Sequence, residues 1–220
     1  MLKDSLIPYK ITDKIRLGSL KDGGYVVSSQ NLNANRLISV GCDNQTSFEK
    51  DFLSINPKSN IDIYDINNVC YFASRHSNVN FYNIEVNSFE QLNIDSNCIV
   101  QMDIEGSEYD VFSNYSGNFE YVQQLIVEFH FKFKGVPVGD SSGWENILKK
   151  INESFYLVHV HGNNCSPITE YNPVPDVIEC TYINKNRFSN VPAKEDIAYP
   201  IEPDKTNCNN REDFVLDWWL

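Results

Sequence analysis

Short apolar runs recur along most of the chain with polar, helix-patterned intervals between them. Runs at 37–40, 61–65, 79–84, 98–103, 123–131, 156–161 and 177–183 have the length and the β-branched or aromatic content of strands. Helices are predicted over 46–55, 68–76, 107–115 and 144–154: Phe48, Phe52 and Ile55 share one face of the first, and Ile147, Leu148 and Ile151 one face of the last. Strands that alternate with helices predict an α/β domain with a largely parallel sheet. Ahead of this pattern, KITDKIRLGSLKDGGYVVS is polar and carries a Gly23-Gly24 turn into Tyr25-Val26-Val27, which reads as a hairpin or flap. Beyond 184 the chain becomes Asn-, Pro- and acid-rich and ends in FVLDWWL, a tail expected to pack through its terminal aromatics. The chain thus divides into a flap or lid at 1–36, a core at 37–184 and a docking tail at 185–220.

Composition narrows the function classes. A chain of 220 residues buries a full single-domain core. A net charge of −12 without any run of Lys or Arg argues against nucleic acid and anionic membrane surfaces as partners. No stretch is long and apolar enough to span a bilayer, and MLKDSLIPYK lacks the apolar centre of a signal peptide, so a cytoplasmic protein is expected. The cysteines at 42, 70, 98, 165, 180 and 208 form no C-x-x-C pair, so neither a zinc ribbon nor a disulfide framework is readable and reduced thiols are expected.

The most informative stretch for chemistry is LISVGCDNQTSF, residues 37 to 48: a strand, a glycine at 41, an acid at 43 and a polar helix start. Such a βα turn brings backbone close to a ligand and presents free N–H groups. The dinucleotide fingerprint would need glycines where Asp43 and Thr46 stand. A pyrophosphate would meet a carboxylate there, whereas cationic S-adenosylmethionine would not. Asp65 ends the next strand at the distance where an acid accepts hydrogen bonds from ribose hydroxyls. In CIVQMDIEGSEYDVF, Asp103 ends a buried strand before a glycine turn and a helix for which Ser107 can serve as N-cap.

Proton transfer needs a base. On the run at 123–131, Ile126, Glu128 and His130 alternate onto one face, with His130 at the carboxyl end where α/β ligands sit. Histidine titrates near neutrality, and a carboxylate such as Glu128 inside an apolar strand is costly unless paired or functional. His159 and His161 alternate on the next strand and lead into Gly162, Asn163 and Asn164, a loop suited to sugar hydroxyls. Asp103, Glu128 and a histidine would also suit Mg²⁺ or Mn²⁺ if they converged; no strict metal requirement is expected, because His130 offers a base without an ion. Lys132, between Phe131 and Phe133, with Lys134 beyond, is the best local patch for a nucleotide diphosphate or a sugar face.

Five blocks in order, LGSLKDGGYVV, VGCDNQTSFEKDF, MDIEGSEYDVF, LIVEFHF and HVHGNN, resemble the FkbM-type family of S-adenosylmethionine-dependent methyltransferases, in particular its bacterial sugar-modifying branch, over about residues 14 to 184. The resemblance implies the single-domain, Rossmann-like seven-stranded methyltransferase sheet, helices on both faces, its last strand antiparallel between the fifth and sixth. It also implies O-methylation of a carbohydrate hydroxyl. Carried over, Gly41, Cys42 and Asp43 face the methionine moiety, Asp65 the ribose, and Asp103 the sulfonium. Gly23, Gly24 and Tyr25 form part of a lid, and Lys21 or Arg16 holds the cofactor carboxylate. Asp103, Glu128 and His130 are then the catalytic set, and Glu105, His159, His161, Asn163 and Lys132 the acceptor set. The expected acceptor is a sugar or nucleotide-sugar for capsule or other surface-glycan synthesis; a homodimer is left open. A non-catalytic nucleotide- or S-adenosylmethionine-binding protein on the same scaffold remains an alternative, as does, more remotely, an NAD-dependent oxidoreductase.

Overall fold

A computed structural model describes residues 1–67, 69–169 and 171–220. A hairpin of β1 (Lys14–Gly18) and β2 (Gly24–Ser28) precedes the main sheet. The sheet comprises β3 (Arg36–Val40), β4 (Asn60–Asp65), β5 (Val79–Asn83), β6 (Cys98–Met102) and β7 (Val122–His130), then β10 (Phe155–Gly162) and β11 (Val177–Asn184). The helices are α1 (Ser47–Ile55), α2 (Glu108–Ser113) and α3 (Ser141–Ser154), and a short ribbon of β8 (Lys132–Phe133) and β9 (Val136–Pro137) follows β7. Strand order is β10-β11-β7-β6-β3-β4-β5. Strands β3 to β7 pair in parallel, whereas β11 lies antiparallel between β7 and β10. This is the Rossmann-like methyltransferase sheet, and all seven expected strands are present.

Pleating sorts side chains to two faces. Leu37, Ile61, Ile99 and Ile126 meet the β1–β2 hairpin and Phe48 and Phe52 of α1. From the same strands, Ile38, Val100, Leu125 and Val127 meet Val111 and Phe112 of α2 and Trp144, Ile147, Leu148 and Ile151 of α3. Helices therefore cover both faces. α3 starts three residues earlier than its apolar pattern indicates, because Asp140 caps it by accepting the N–H of Gly143 (2.9 Å).

Two expectations change. The helix expected over 68–76 begins at residue 68, outside the described residues; 69–76 contains a single 3-10 turn, Ala73–Arg75. Cys70 and Phe72 are both buried there, and residues two apart cannot share a helix face. Second, Cys165 and Cys208 are joined in a disulfide with Cα atoms 5.5 Å apart. The tail folds back beside the loop between β10 and β11, a proximity that cysteines separated by 43 residues do not announce. The thiols of Cys42, Cys70, Cys98 and Cys180 are free and buried. The hairpin is a packed layer: β2 is buried throughout, Thr181 donates to Val26 O (2.5 Å), and Ser28 N–H donates to Gln124 Oε1 (2.8 Å). At the end of the chain, Trp218 Nε1 donates to Leu6 O (3.3 Å) and Trp219 lies edge-on to Tyr199. Among the described residues no helix is long and apolar enough to cross a membrane.

Trp144 is fully buried, donates from Nε1 to Val138 O (2.6 Å), and meets Tyr109, Phe129 and Phe131 edge-on. Trp144→Ala is expected to lower the unfolding free energy by about 3–5 kcal/mol. Urea titration checks this, and a loss below about 1 kcal/mol would show that α3 contributes little to the core.

Candidate active site

The order of strands reverses between β3 and β6, and ligands of open α/β sheets sit outside the carboxyl ends of strands at such a point. A cavity of about 560 Å³ opens there. Its floor is made where β3 meets β6: Gly41 has φ +80°, and a Cβ on it would lie 1.8 Å from the carbonyl oxygen of Asp103. The glycine serves a close backbone-to-backbone approach, in addition to any approach to a ligand.

Asp65 is committed to the loop after β3. Its Oδ2 accepts the N–H groups of Cys42 (2.8 Å) and Asp43 (2.9 Å), and its Oδ1 accepts that of Asn67 (2.7 Å). Burial raises its pKa, but these three hydrogen bonds outweigh it and hold the carboxyl below the ordinary aspartate value. Asp43 and Asn44 turn the loop with φ of +40° and +60°, the region in which Asp and Asn are the best-tolerated non-glycine residues. Asp43 in turn accepts from the Asn67 amide (3.0 Å).

One wall of the cavity is built by the hairpin and the end of β6. Tyr25 O–H donates to Asp103 Oδ2 (2.9 Å) and lies 3.5 Å from Glu128 Oε2. Burial, with the nearby Asp103 and Glu128 carboxylates, raises the phenol's pKa well above its usual value. Burial also raises Asp103 to about 7, restrained by the charge of His130 and promoted by Glu108. Glu128 is pushed well up by burial and by Asp103, Glu179 and Asp22. Tyr25, Asp103 and Glu105 face the cavity, whereas Glu128 and His130 stand behind that wall.

His130 is a different group from the neutral base its position suggests. Its Nδ1 lies 3.2 Å from Glu108 Oε1, and its Nε2 3.5 Å from Glu105 Oε2. Burial works to lower its pKa, but the bond to Glu108 and the charges of Glu108, Asp103 and Glu105 raise it to about 9. At neutral pH it is an imidazolium. Glu108, fully buried, is the residue that sequence reading missed. It accepts the N–H groups of Ile104 (2.8 Å) and Gly106 (3.0 Å), and so fastens the turn after Asp103. Ser107 holds the N-cap position without a side-chain capping bond. The signal lay in the second acid of DIEGSE, at the start of the helix.

The proposed acceptor group is not gathered at the cavity. His159 Nε2 bonds Asp204 (2.7 Å), and His161 bonds Glu179 (3.2 Å) and Asp213 (3.0 Å), all beneath the tail. Asn163 donates to Glu128 (2.7 Å) and Asp22 (3.2 Å), and Asn164 holds residues of the tail. These side chains serve internal contacts that the strand pattern could not foresee, because their partners, in the tail, the hairpin turn and neighbouring strands, are distant in sequence. Lys132 lies in the β8–β9 ribbon outside the cavity wall, while Phe133 and Lys134 line it. Gly23 lines the cavity; Gly24 does not, and a Cβ there would lie 2.0 Å from Ser19 O, so its need is the hairpin turn. Arg16 braces that turn by donating to Ser19 O (2.9 Å) and Lys21 O (2.8 Å), and Lys21 is exposed outside the wall.

Electrostatics decide what the cavity can hold. Among the described residues its lining carries seven acids (Asp22, Asp43, Glu49, Asp65, Glu85, Asp103 and Glu105) and one base, Lys134. A pyrophosphate has no cationic partner at the loop, whereas a cationic nucleoside has many. Tyr64, Ile66, Ile84 and Val86 supply an apolar side for a flat base, and Glu49 Oε2 is buried without a hydrogen-bond partner. Asp103, Glu108 and His130 form one set of ligand-type atoms within 4.8 Å of one another, and Asp22, Glu128 and Glu179 another. Glu108 is already engaged by two N–H groups, and the amides of Asn163 and Asn207 point N–H donors at the second set, an arrangement that favours carboxylates without an ion.

No family model matches the chain, and no curated protein matches it. Among solved structures it is similar to the Methanococcus jannaschii fibrillarin pre-rRNA processing protein, at 10% identity and TM-score 0.46 over 80% of this chain and 70% of that one. It is also similar to M. capricolum TrmK in complex with the cofactor product S-adenosyl-homocysteine, at 15% identity and TM-score 0.43 over 73% and 68% of the two chains. An O-methyltransferase family protein from Burkholderia thailandensis aligns at 8% identity and TM-score 0.42 over 71% and 52%. The strand order and the chemistry of the cavity carry the functional reading.

Two measurements test the site as built. Asp65→Ala leaves the N–H groups of Cys42 and Asp43 without an acceptor and is expected to lower stability by about 1–3 kcal/mol, unlike a residue that touches ligand alone. Because the folded pKa of Asp65 is depressed, its contribution is present above the unfolded aspartate value and fades as pH falls through the lower folded one. For His130 the sign is opposite: its contribution is full below the unfolded histidine value and is lost as pH rises through about 9. Histidine NMR should give His130 a midpoint near 9, brought down in Glu108→Gln; a midpoint near 6.5 in both proteins would remove Glu108 as its partner.

Proposed function

We propose that the protein is an S-adenosylmethionine-dependent methyltransferase that transfers the methyl group to a hydroxyl oxygen, with a carbohydrate as acceptor. The observation that carries the reading is the acid-lined cavity at the switch point of a methyltransferase-type sheet, which suits a cationic nucleoside and disfavours a pyrophosphate. The same charge distribution weighs against an NAD-dependent oxidoreductase. The five sequence blocks support the FkbM-type branch, and with it the carbohydrate acceptor and a role in surface-glycan synthesis.

The residues at the cavity divide the work. Backbone at 41–43, braced by Asp65, would hold the sugar and methionine portions, and Tyr64, Ile66, Ile84 and Val86 the base. Bound there, S-adenosylmethionine supplies an electrophilic methyl group on a positively charged sulfur. Asp103, partly exposed to the cavity and with a pKa of about 7, takes the acceptor's hydroxyl proton at one oxygen while Tyr25 holds the other. Its partner His130, charged at neutral pH, keeps that pKa from rising further. The raised pKa of Glu128 shifts it toward the neutral form and so lessens the negative charge beside Asp103. Alignment of the two reactants by the wall supplies the remainder of the acceleration. Glu105 and Lys134 at the rim are the side chains open to the acceptor.

The test is incubation with methyl-labelled S-adenosylmethionine and a panel of glycosides and nucleotide-sugars, read by mass for the gain of one methyl group. Calorimetric binding of the cofactor without transfer to any acceptor would favour a non-catalytic binding protein. Asp103→Asn is expected to reduce turnover by about a hundredfold or more while the fold is retained, and the rate should rise as pH passes through about 7. Activity is expected to survive EDTA. Loss on chelation with recovery in Mg²⁺ or Mn²⁺ would reassign Asp103, Glu108 and His130 as ligands.

A further inference from the structure

Residues 204–213 read DKTNCNNRED, so apart from Cys208 the stretch has no apolar side chain. Its flanks are anchored: Tyr199 and Leu216 are buried, and Ile201, Phe214, Trp218 and Trp219 pack on the core. Between the anchors the stretch crosses polar groups of the body. Asp204 bonds His159 (2.7 Å), Asn207 donates to Glu179 (2.7 Å) and Asp22 (3.1 Å), and Asp213 bonds His161 (3.0 Å). Asn164 accepts the N–H of Cys208 (2.8 Å) and donates to Thr206 (2.6 Å), and Arg211 donates to Cys165 O (2.6 Å).

Such hydrogen bonds replace bonds to water at small net gain, and no hydrophobic burial adds to them. The Cys165–Cys208 bond is the one covalent tie within this strap. Cys165 is exposed, whereas the four free thiols are buried. We propose that Cys165–Cys208 is a reversible redox modification site, cleaved by a dithiol reductant, and that its cleavage releases the 204–213 strap from the carboxylate cluster of Asp22, Glu128 and Glu179.

In the reaction a thiolate of the reductant attacks Cys165 Sγ, the Sγ–Sγ bond breaks, and Cys208 leaves as a thiolate that takes a proton from water. The reductant's second thiol then displaces Cys165 from the mixed disulfide. Two electrons and two protons reach the protein, and the reductant becomes a disulfide. Release of the strap removes Asn207 from Glu179, Asp204 from His159 and Asp213 from His161, and admits water beside Glu128, which stands against Tyr25. Such a bond persists in oxidising surroundings and is transient in reducing ones, so the strap reports the redox state around the protein.

The test uses the full chain with dithiothreitol as the dithiol. Native alkylation followed by mass spectrometry should label neither Cys165 nor Cys208 before reduction and both after it, with Cys42, Cys70, Cys98 and Cys180 protected in each case. Hydrogen exchange of the 204–213 amides should accelerate about tenfold or more on reduction while β7 stays protected. Cys165→Ser should reproduce the fast exchange without reductant, and the wild-type titration decides alone if that variant does not fold. Labelling of Cys165 and Cys208 before reduction, exchange unchanged by reduction, or acceleration of β7 together with the strap would each overturn the proposal. None of these readings depends on methyl transfer.

Discussion

A Cβ at position 41 would stand 1.8 Å from the Asp103 carbonyl oxygen, and the ends of β3 and β6 meet across a bare Cα. The strand ends are laced at the same level: Asp103 N–H donates to Val40 O and Gly41 N–H to Tyr64 O, each at 2.9 Å. Once the chain leaves the sheet at that glycine, the Cys42 and Asp43 amides fall to the carboxylate of Asp65, which fixes the loop. Asp103, its own carbonyl held against Gly41, puts its carboxyl group into the cavity instead of beneath it. A larger residue at 41 would part β3 from β6 and move both acids.

Above that floor the dominant physical fact is the removal of carboxylates from water. Asp103, Glu128 and Glu179 lie on or beside adjacent strands, yet the protein supplies hydrogen-bond donors in place of an opposing row of lysines: the Tyr25 hydroxyl, the Asn163 and Asn207 amides, and His161. Burial and like-charged neighbours also push the Glu128 pKa well up, toward the neutral form. Two imidazoles stay charged instead: Glu179 and Asp213 raise His161 to about 10, and three acidic neighbours raise His130 to about 9 and place a cation behind Asp103.

The strands were legible as continuous apolar runs alternating with helices, and the place of the last one, antiparallel between the fifth and sixth, came with the resemblance to the FkbM-type family. Asp103 drew attention by its place at a strand end and Tyr25 by the block that resembles the FkbM-type family, and both line the cavity. What sequence could not convey was which polar residues would be covered. His159 and His161 lie along β10 and look open until Asp204 and Asp213 of the tail are placed over them, while Asn163, just past the strand, turns to Glu128 and Asp22; none of these partners has a periodic signature. Glu108 escaped notice because a helix's first turn is rich in acids as a matter of course. The disulfide escaped because nothing in spacing distinguishes Cys165 and Cys208 from the other four.

The hairpin that delivers Tyr25 has a consequence for the order of assembly. Tyr25 is separated by 78 residues from Asp103 and by 103 from Glu128, and Asp22 by 141 from Asn163 and 185 from Asn207. Contacts that close loops of this size lose chain entropy before they return any energy, and they form after the local βα units have collapsed. A nascent chain can therefore own a finished parallel sheet while its chemical centre is still open. The cavity wall is completed last, when the first thirty or so residues and the final twenty meet over the middle of the molecule.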